Sequence, residues 1–241
     1  MIPTMTNDFP LFASDQFKAL VIGSNGTLGR AFVDAFRLDP NCTFVEAVSR
    51  DSGSGFDLLD AESIRVQASL SSSAGPFEII VDATGALEIN GVGPEKSLNS
   101  LNSEHLTQAF LVNAIGPALV LRHFSPLLAR GSSTYAKLSA RVGSISDNKK
   151  GGWYGYRASK AALNMMLQTA AIELQRKNPN VRVAALQPGT VRSKLSNPFV
   201  GAQHDLLEPY ASVLGMLNAL KNLPVKSGAH FIDYKGNEIP W

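Results

Sequence analysis

The chain has 241 residues, 44% of them hydrophobic, and a formal net charge of only +2. That balance fits one α/β domain with a sizeable core and excludes a nucleic-acid or membrane partner held by bulk charge. Cys42 is the only cysteine, so no intramolecular disulfide can form and a reducing, cytoplasmic setting is expected. Residues 1–15 read as a short N-terminal extension and 16–241 as a single domain. The first lysine is Lys18, and no basic segment precedes an apolar run there, which argues against a secretory signal.

In chain order, "FKALVIG" (17–23) is a short apolar run stopped by glycine and reads as a buried strand. "TLGRAFVDAFRL" (27–38) places Leu28, Phe32, Ala35 and Phe36 on one helical face, and Asp39-Pro40 ends it. "TFVEAVS" (43–49) and "FEIIVDATG" (77–85) are the next strands. A long helix is predicted over 103–128, bent near Gly116-Pro117; its apolar stretch 109–121 is too short and too interrupted to span a bilayer. "STYAKLSA" (133–140) is a strand, 156–177 the clearest helix, and "VRVAALQPG" (181–189) a strand ending in Pro-Gly. A helix over 208–220 and a strand over 228–234 close the chain. Apolar strands alternating with helices argue for a parallel sheet covered on both faces, whose ligands bind beyond the carboxyl ends of the strands.

Two stretches carry chemistry. In "VIGSNGTLGR" (21–30), Gly23, Gly26 and Gly29 lie three apart between a strand and a helix. Glycines there let backbone approach a phosphate, and the free N–H groups of the helix start face its charge. A tight turn with Gly29 serving helix–sheet packing is the plainer reading, and the position between strand and helix favours a dinucleotide site. The second strand ends in Ser49-Arg50 rather than an acid. A hydroxyl and a guanidinium suit a 2′-phosphate, so NADP(H) is favoured, with NAD(H) as the alternative and a solvated loop arginine as the rival reading. In "GGWYGYRASKAAL" (151–163), Tyr156 and Lys160 are four apart and share a helical face, whereas Tyr154 falls before the helix. A phenol beside an ammonium can have its pKa lowered from about 10 into the range of acid–base work. A packed tyrosine next to a solvated lysine is the bland alternative.

"YRASK" is the Tyr-x-x-x-Lys motif of the short-chain dehydrogenase/reductase family, which the chain resembles in order over nearly its whole length. "SARVGSISDN…GGWYGYRASKAALN" looks most like the C-factor and sniffer-type carbonyl reductase subgroup. The resemblance implies a doubly wound, mostly parallel seven-stranded sheet of Rossmann type flanked by helices. It implies oxidoreduction of a small-molecule carbonyl or alcohol, with Tyr156 as general acid/base, Lys160 lowering its pKa, and Asn113 holding a water in a proton relay. It also implies cofactor contacts from Gly23, Asn25, Gly26, Thr27, Leu28 and Gly29, from Ser49 and Arg50, and from Asp57 and Leu58 of "FDLLD". Further contacts are implied from Ala83, Thr84 and Gly85, and from Pro188, Gly189, Val191 and Ser193. A homodimer or homotetramer through the helices around 103–128 and 154–177 and a substrate segment near 193–210 follow by the same resemblance; a metal is not expected.

Three departures from the family pattern stand out. Thr27 replaces the middle glycine of the loop, with Gly26 beside it. The Asn-Asn-Ala-Gly segment reads Asp82-Ala83-Thr84-Gly85. The serine pair before the tyrosine reads Ser139-Ala140. Ser144, twelve residues before Tyr156, has the right spacing for the missing serine and is preferred; Ser139 is the other candidate, expected by strand alternation to point away from the face of Ala140. The C-factor resemblance also leaves open a nucleotide-binding signalling or regulatory protein with little or no turnover.

Overall fold

The computed structural model describes residues 16–51, 53, 55–192 and 206–241. Six strands form one sheet in the order β2-β1-β3-β4-β5-β6, every neighbouring pair parallel. They are β1 (Phe17–Ile22), β2 (Cys42–Val48), β3 (Ile79–Asp82), β4 (Ser133–Leu138), β5 (Val181–Gln187) and β6 (His230–Asp233). The sheet therefore has six strands among the described residues, not the seven expected. β2 is its edge, and the Asp-, Ser- and Gly-rich stretch after it carries no alternation from which a further strand could be built. The chain moves from β1 outward to β2 and then returns past β1 to β3, so the strand order reverses between β1 and β3. A crevice opens at the carboxyl end of such a reversal.

Helices α1 (Thr27–Leu38) and α6 (Pro209–Lys221) cover one face. α2 (Ala61–Ser71), α4 (Gly116–Phe124) and α5 (Tyr154–Lys177) cover the other, with α3 (Ser103–Phe110) running into α4 through a π-helical turn, Leu111–Ile115. β4 and β5 show why the strands read as continuous apolar runs: every residue of β4 is buried, and all of β5 but its last. On the first face Phe32 and Phe36 of α1 stack at 6.2 Å, and Phe17 of β1 meets Phe36 edge-on at 6.1 Å. The helical run 103–127 is longer than its apolar stretch and, by length and composition alone, could cross a membrane. Here it packs on α2 and α5 as a layer of the fold.

α2 was not anticipated. Its sequence "AESIRVQASLS" has no strong apolar stripe, and the readable signal was its cap, Asp60, whose side chain accepts from Glu62 N–H at 2.9 Å. α5 begins two residues earlier than expected and so includes Tyr154.

Phe36→Ala should lower unfolding free energy by about 3–5 kcal/mol, because it removes a fully buried ring held between two others. Leu38→Ala, at an exposed position on the same helix, should shift the urea midpoint little.

Candidate active site

The carboxyl ends of β1, β3, β4 and β5 border a cleft of about 840 Å³. Its walls include Asn25–Asp34 segments of the first loop and helix, Ala83–Ala86 after β3, Leu138 and Ser139 at the end of β4, Tyr156 and Lys160 of α5, and Pro188 after β5. A second hollow of about 600 Å³ adjoins it, sharing Asn25, Gly26 and Ala83–Ala86 and adding Gly23, Ser49, Arg50, Asp57 and Leu58. The two flank the start of α1, so one elongated ligand could lie across that helix end.

The loop is built for close approach. A Cβ on Gly29 would collide with the carbonyl oxygen of Gly23 and the backbone of Ser24, so only glycine lets the first turn of α1 fold onto the end of β1. The N-cap is Gly26, with no side chain capping the helix and no acid in its first turn. The free N–H groups there fit an anion. Thr27 takes the first helical position without disturbing this path. Ser49 is buried and Arg50 exposed, and Arg50 makes no hydrogen bond or ion pair among the described residues. Asp51 is held by Asn25 Nδ2 at 2.6 Å. Asp57 accepts from Leu59 N–H at 2.9 Å, fixing the turn that presents Leu58.

The turn after β3 is the hinge of the site. Asp82 Oδ1 accepts from Thr84 N–H at 2.9 Å and from Thr84 Oγ1 at 2.6 Å. Gly85 follows at φ +127°, where a Cβ would lie 3.0 Å from Asn113 Oδ1 and 3.3 Å from Lys160 Nζ. Asn113 is fully buried in the π-helical turn. It accepts from Ala86 N–H at 2.9 Å and donates to Ala86 C=O at 2.8 Å. Both of these bonds go to backbone, tying the π-helical turn of the long helical run to the cleft wall.

On α5, Tyr156 and Lys160 face the cleft together, with Lys160 Nζ 5.8 Å from the Tyr156 ring centroid. Lys160 Nζ donates to Leu138 C=O at 3.2 Å. Burial, aided by the nearby Lys137 ammonium, pushes Lys160 down to about 7. Burial pushes the Tyr156 phenol up to about 12. Burial disfavours the charged form of both groups, so any lowering of the phenol depends on charge brought to the cleft, the nicotinamide ring included. Trp153, at φ 56°, meets the Tyr156 ring edge-on at 6.2 Å; neither it nor Tyr154 lines the cleft.

The preference for Ser144 over Ser139 does not fit the geometry. Ser139 lies on the cleft wall beside Tyr156 and donates to Asn164 Oδ1 at 2.7 Å. Ser144 Oγ instead accepts from Asp147 N–H at 3.0 Å in the turn beyond a short 3₁₀ segment, Arg141–Gly143, and does not line the cleft. β4 ends at Leu138, so strand alternation does not govern residue 139. Pro188 lines the cleft, and its carbonyl accepts from Ser212 Oγ at 2.5 Å. Gly189 stands at φ +78° against Leu207 and Tyr234, and Val191 is buried and bridges Leu207. Ser193 and most of the segment 193–210 lie outside the described residues.

Sequence reasoning missed two participants. Arg157 donates to the carbonyls of Gly152 at 2.9 Å, Gly151 at 3.1 Å and Val142 at 3.4 Å, fastening the loop before α5 to its first turn. Lys137 is buried in β4 beside Asp82, its register partner in β3. A lysine within an all-buried strand was the signal.

A family profile described as short chain dehydrogenase matches residues 18–203. The chain belongs to the short chain dehydrogenase family. It is 31% identical to C-signal of Myxococcus xanthus over 69% of this chain and 94% of that one. It is 29% identical to a 1-hydroxy-2-glutathionyl-2-methyl-3-butene dehydrogenase of Rhodococcus over 78% of this chain and 79% of that one. Among solved structures it resembles the NADPH-bound carbonyl reductase from chicken fatty liver (TM-score 0.81, 22% identity, 94% of each chain). It also resembles the carbonyl reductase Sniffer of D. melanogaster (TM-score 0.77, 18% identity, 94% of this chain and all of that one). These likenesses agree with the parallel sheet and with the subgroup suggested by the sequence around Tyr156.

The two shifts on α5 fix a pH dependence of stability. Between about 7 and the ordinary lysine value of 10.5, the unfolded chain holds the Lys160 proton more tightly than the folded one, so stability rises with pH across that window. Above the ordinary tyrosine value of 10.0, Tyr156 acts in the opposite sense, since the unfolded phenol ionises first. Lys160→Met should flatten the rise between pH 7 and 10 in urea midpoints, relative to the unaltered protein.

Proposed function

We propose that the protein is an NADP(H)-dependent oxidoreductase that moves a hydride between a nicotinamide ring and a carbonyl or alcohol substrate. The observation that carries this reading is the placing of Tyr156 and Lys160 on one cleft with the uncapped start of α1. The cofactor, when bound, supplies or accepts the hydride. The first-turn N–H groups of α1 bind its phosphates, Ser49 and Arg50 meet the 2′-phosphate, and Asp57, Leu58 and Ala83–Gly85 border the adenosine half. Pro188, Gly189, Val191 and Ser193 belong to the nicotinamide half.

At the reacting oxygen, the Tyr156 hydroxyl donates its proton to the carbonyl in reduction, and the phenolate takes it from the alcohol in oxidation. At about 12 in the chain alone, the phenol is a neutral acid, suited to the reductive direction. Lys160 orients the ring and, when charged, favours the phenolate. Ser139, on the cleft wall, is the serine placed to hold the substrate oxygen, and Asn113 positions the 84–86 turn in addition to any role in proton relay. Residues 16–241 act as one domain, with 193–210 as its substrate segment. Exposed Met165 and Ile172 on the outer side of α5 support self-association through that helix and the run 103–127.

The match to C-signal supports a second reading, a nucleotide-binding signalling protein with little or no turnover. One panel of aldehydes, ketones and quinones separates the two. Tyr156→Phe should lower kcat about 10²–10⁴-fold while NADPH affinity stays within a few-fold; Ser139→Ala should cost more than Ser144→Ala. An unaltered protein that binds NADPH but turns over nothing on the panel supports the signalling reading.

The cofactor choice is tested apart from turnover. By fluorescence titration, Arg50→Ala should weaken NADPH about tenfold or more and leave NADH unchanged, since one charge-assisted contact to a phosphate is worth about 1.5–3 kcal/mol. Equal affinity for NADH and NADPH in the unaltered protein overturns the NADP(H) assignment.

A further inference from the structure

Lys137 is 1% exposed and Asp82 0%, in adjacent parallel strands and at the same register position. Lys137 Nζ lies 2.9 Å from Asp82 Oδ1, 2.6 Å from Thr84 C=O and 3.0 Å from Thr84 Oγ1. With Asp82 C=O at 3.4 Å, four acceptors converge on one ammonium, two of them from Thr84 in the turn that the cleft shares with the loop of α1. Asp82 Oδ2 is buried with no hydrogen-bond partner, and among the described residues Lys137 is the cation in an ion pair with that carboxylate. The next residue, Gly85, abuts Lys160 Nζ and Asn113 Oδ1. Lys137 and Lys160 thus approach the same short turn from two sides, one at Thr84 and one at Gly85.

We propose that Lys137 is a positioning residue for the Tyr156–Lys160 pair: its ammonium pins the turn over 82–86 against which Asn113 and Lys160 pack, and its charge acts on Lys160. The proposal rests on reading Tyr156 and Lys160 as the proton-handling pair. Two buried ammonium groups at one turn repel, and the carboxylate of Asp82, which attracts both, is committed to the nearer one. Among the described residues, the other charged groups lining the cleft are Arg30 and Asp34 on α1 and Glu208 before α6. Of the groups packed on α5, Arg141 is engaged by Asp233 and Asp147, and Glu95 accepts from Gly155 N–H at the helix start. Burial is the largest cause holding Lys160 low, Lys137 is the next, and Asp82 opposes them. The turn over 82–86 and the charge beside it thus tie Lys160 to a residue in another strand.

The test reads Lys160 directly. Protein labelled at lysine ¹³Cε is titrated by NMR without cofactor, the Lys160 signal being assigned from Lys160→Arg. Lys137→Gln, which keeps a donor for Thr84 C=O, should move the Lys160 titration upward by about one unit, a tenfold change in the protonation ratio. Lys137→Arg should leave it in place. The double variant Lys137→Gln/Asp82→Asn, neutral and able to keep its hydrogen bonds, should fold even where the single one does not. It should move Lys160 upward by less, because the opposing carboxylate is lost as well. In active protein, the limb of the kcat/KM profile set by Lys160 should shift the same way, which a merely structural role would not do. An unchanged or downward titration in whichever neutral variant folds overturns the proposal. Since the titration needs no substrate, it stands whether or not Tyr156→Phe bears out the enzymatic reading.

Discussion

An ammonium buried between two central strands constrains everything around it. Lys137 can stay charged in β4 only if acceptors come to it, and they come from the end of β3 and the turn after it: the Asp82 carboxylate, the Thr84 carbonyl and the Thr84 hydroxyl. Gathering them bends the chain sharply as it leaves the sheet. That bend places Gly85 against Lys160 and sets the Ala86 backbone where Asn113 can grip both of its polar groups. β3, β4, the π-helical turn and α5 meet there, and the cleft is the space they leave at the strand ends. A buried pair of this kind is weak evidence for stability, because desolvation opposes its attraction. Its value lies in the unique geometry it imposes.

The glycine loop obeys a complementary constraint. Where the Lys137 cluster fills space with polar contacts, the start of α1 keeps space empty: Gly29 folds onto Gly23 without a side chain, and the helix begins with no cap. The membership of the chain in the short chain dehydrogenase family is visible in both halves, although the second departs from the family pattern in composition. Asp82 stands where the pattern has asparagine, and its charge is matched one strand away. A departure that looks disruptive along the sequence is thus answered by Lys137 in space.

Much of the fold was legible because buried parallel strands read as unbroken apolar runs and α1 has a clean apolar stripe; its limits matched at both ends. What was lost depended on partners remote in sequence. α2 has no stripe, since it lies on the edge of the layer with Ile64 and Ala68 buried and Val66 and Leu70 exposed. The spacing of Tyr156 and Lys160 was decisive because helical geometry is local. Spacing along a loop does not show where the loop turns, and the structure puts Ser139 on the cleft wall and Ser144 in the turn beyond it. The sequence shows the cation beside Tyr156 but not the burial that pushes the phenol up in the chain alone.

The π-helical turn Leu111–Ile115 carries a further consequence. Such a turn holds one residue more than an α-helical turn, so the residues that follow are displaced by about 100° around the axis from where an uninterrupted helix would set them. α3 and α4 are thus out of phase with each other, and the surplus residue lets Asn113 point at Ala86 while Val120 and Phe124 still reach the core. The phase change between α3 and α4 is therefore set inside the helical run, at the turn that carries Asn113, rather than in the loops on either side of it.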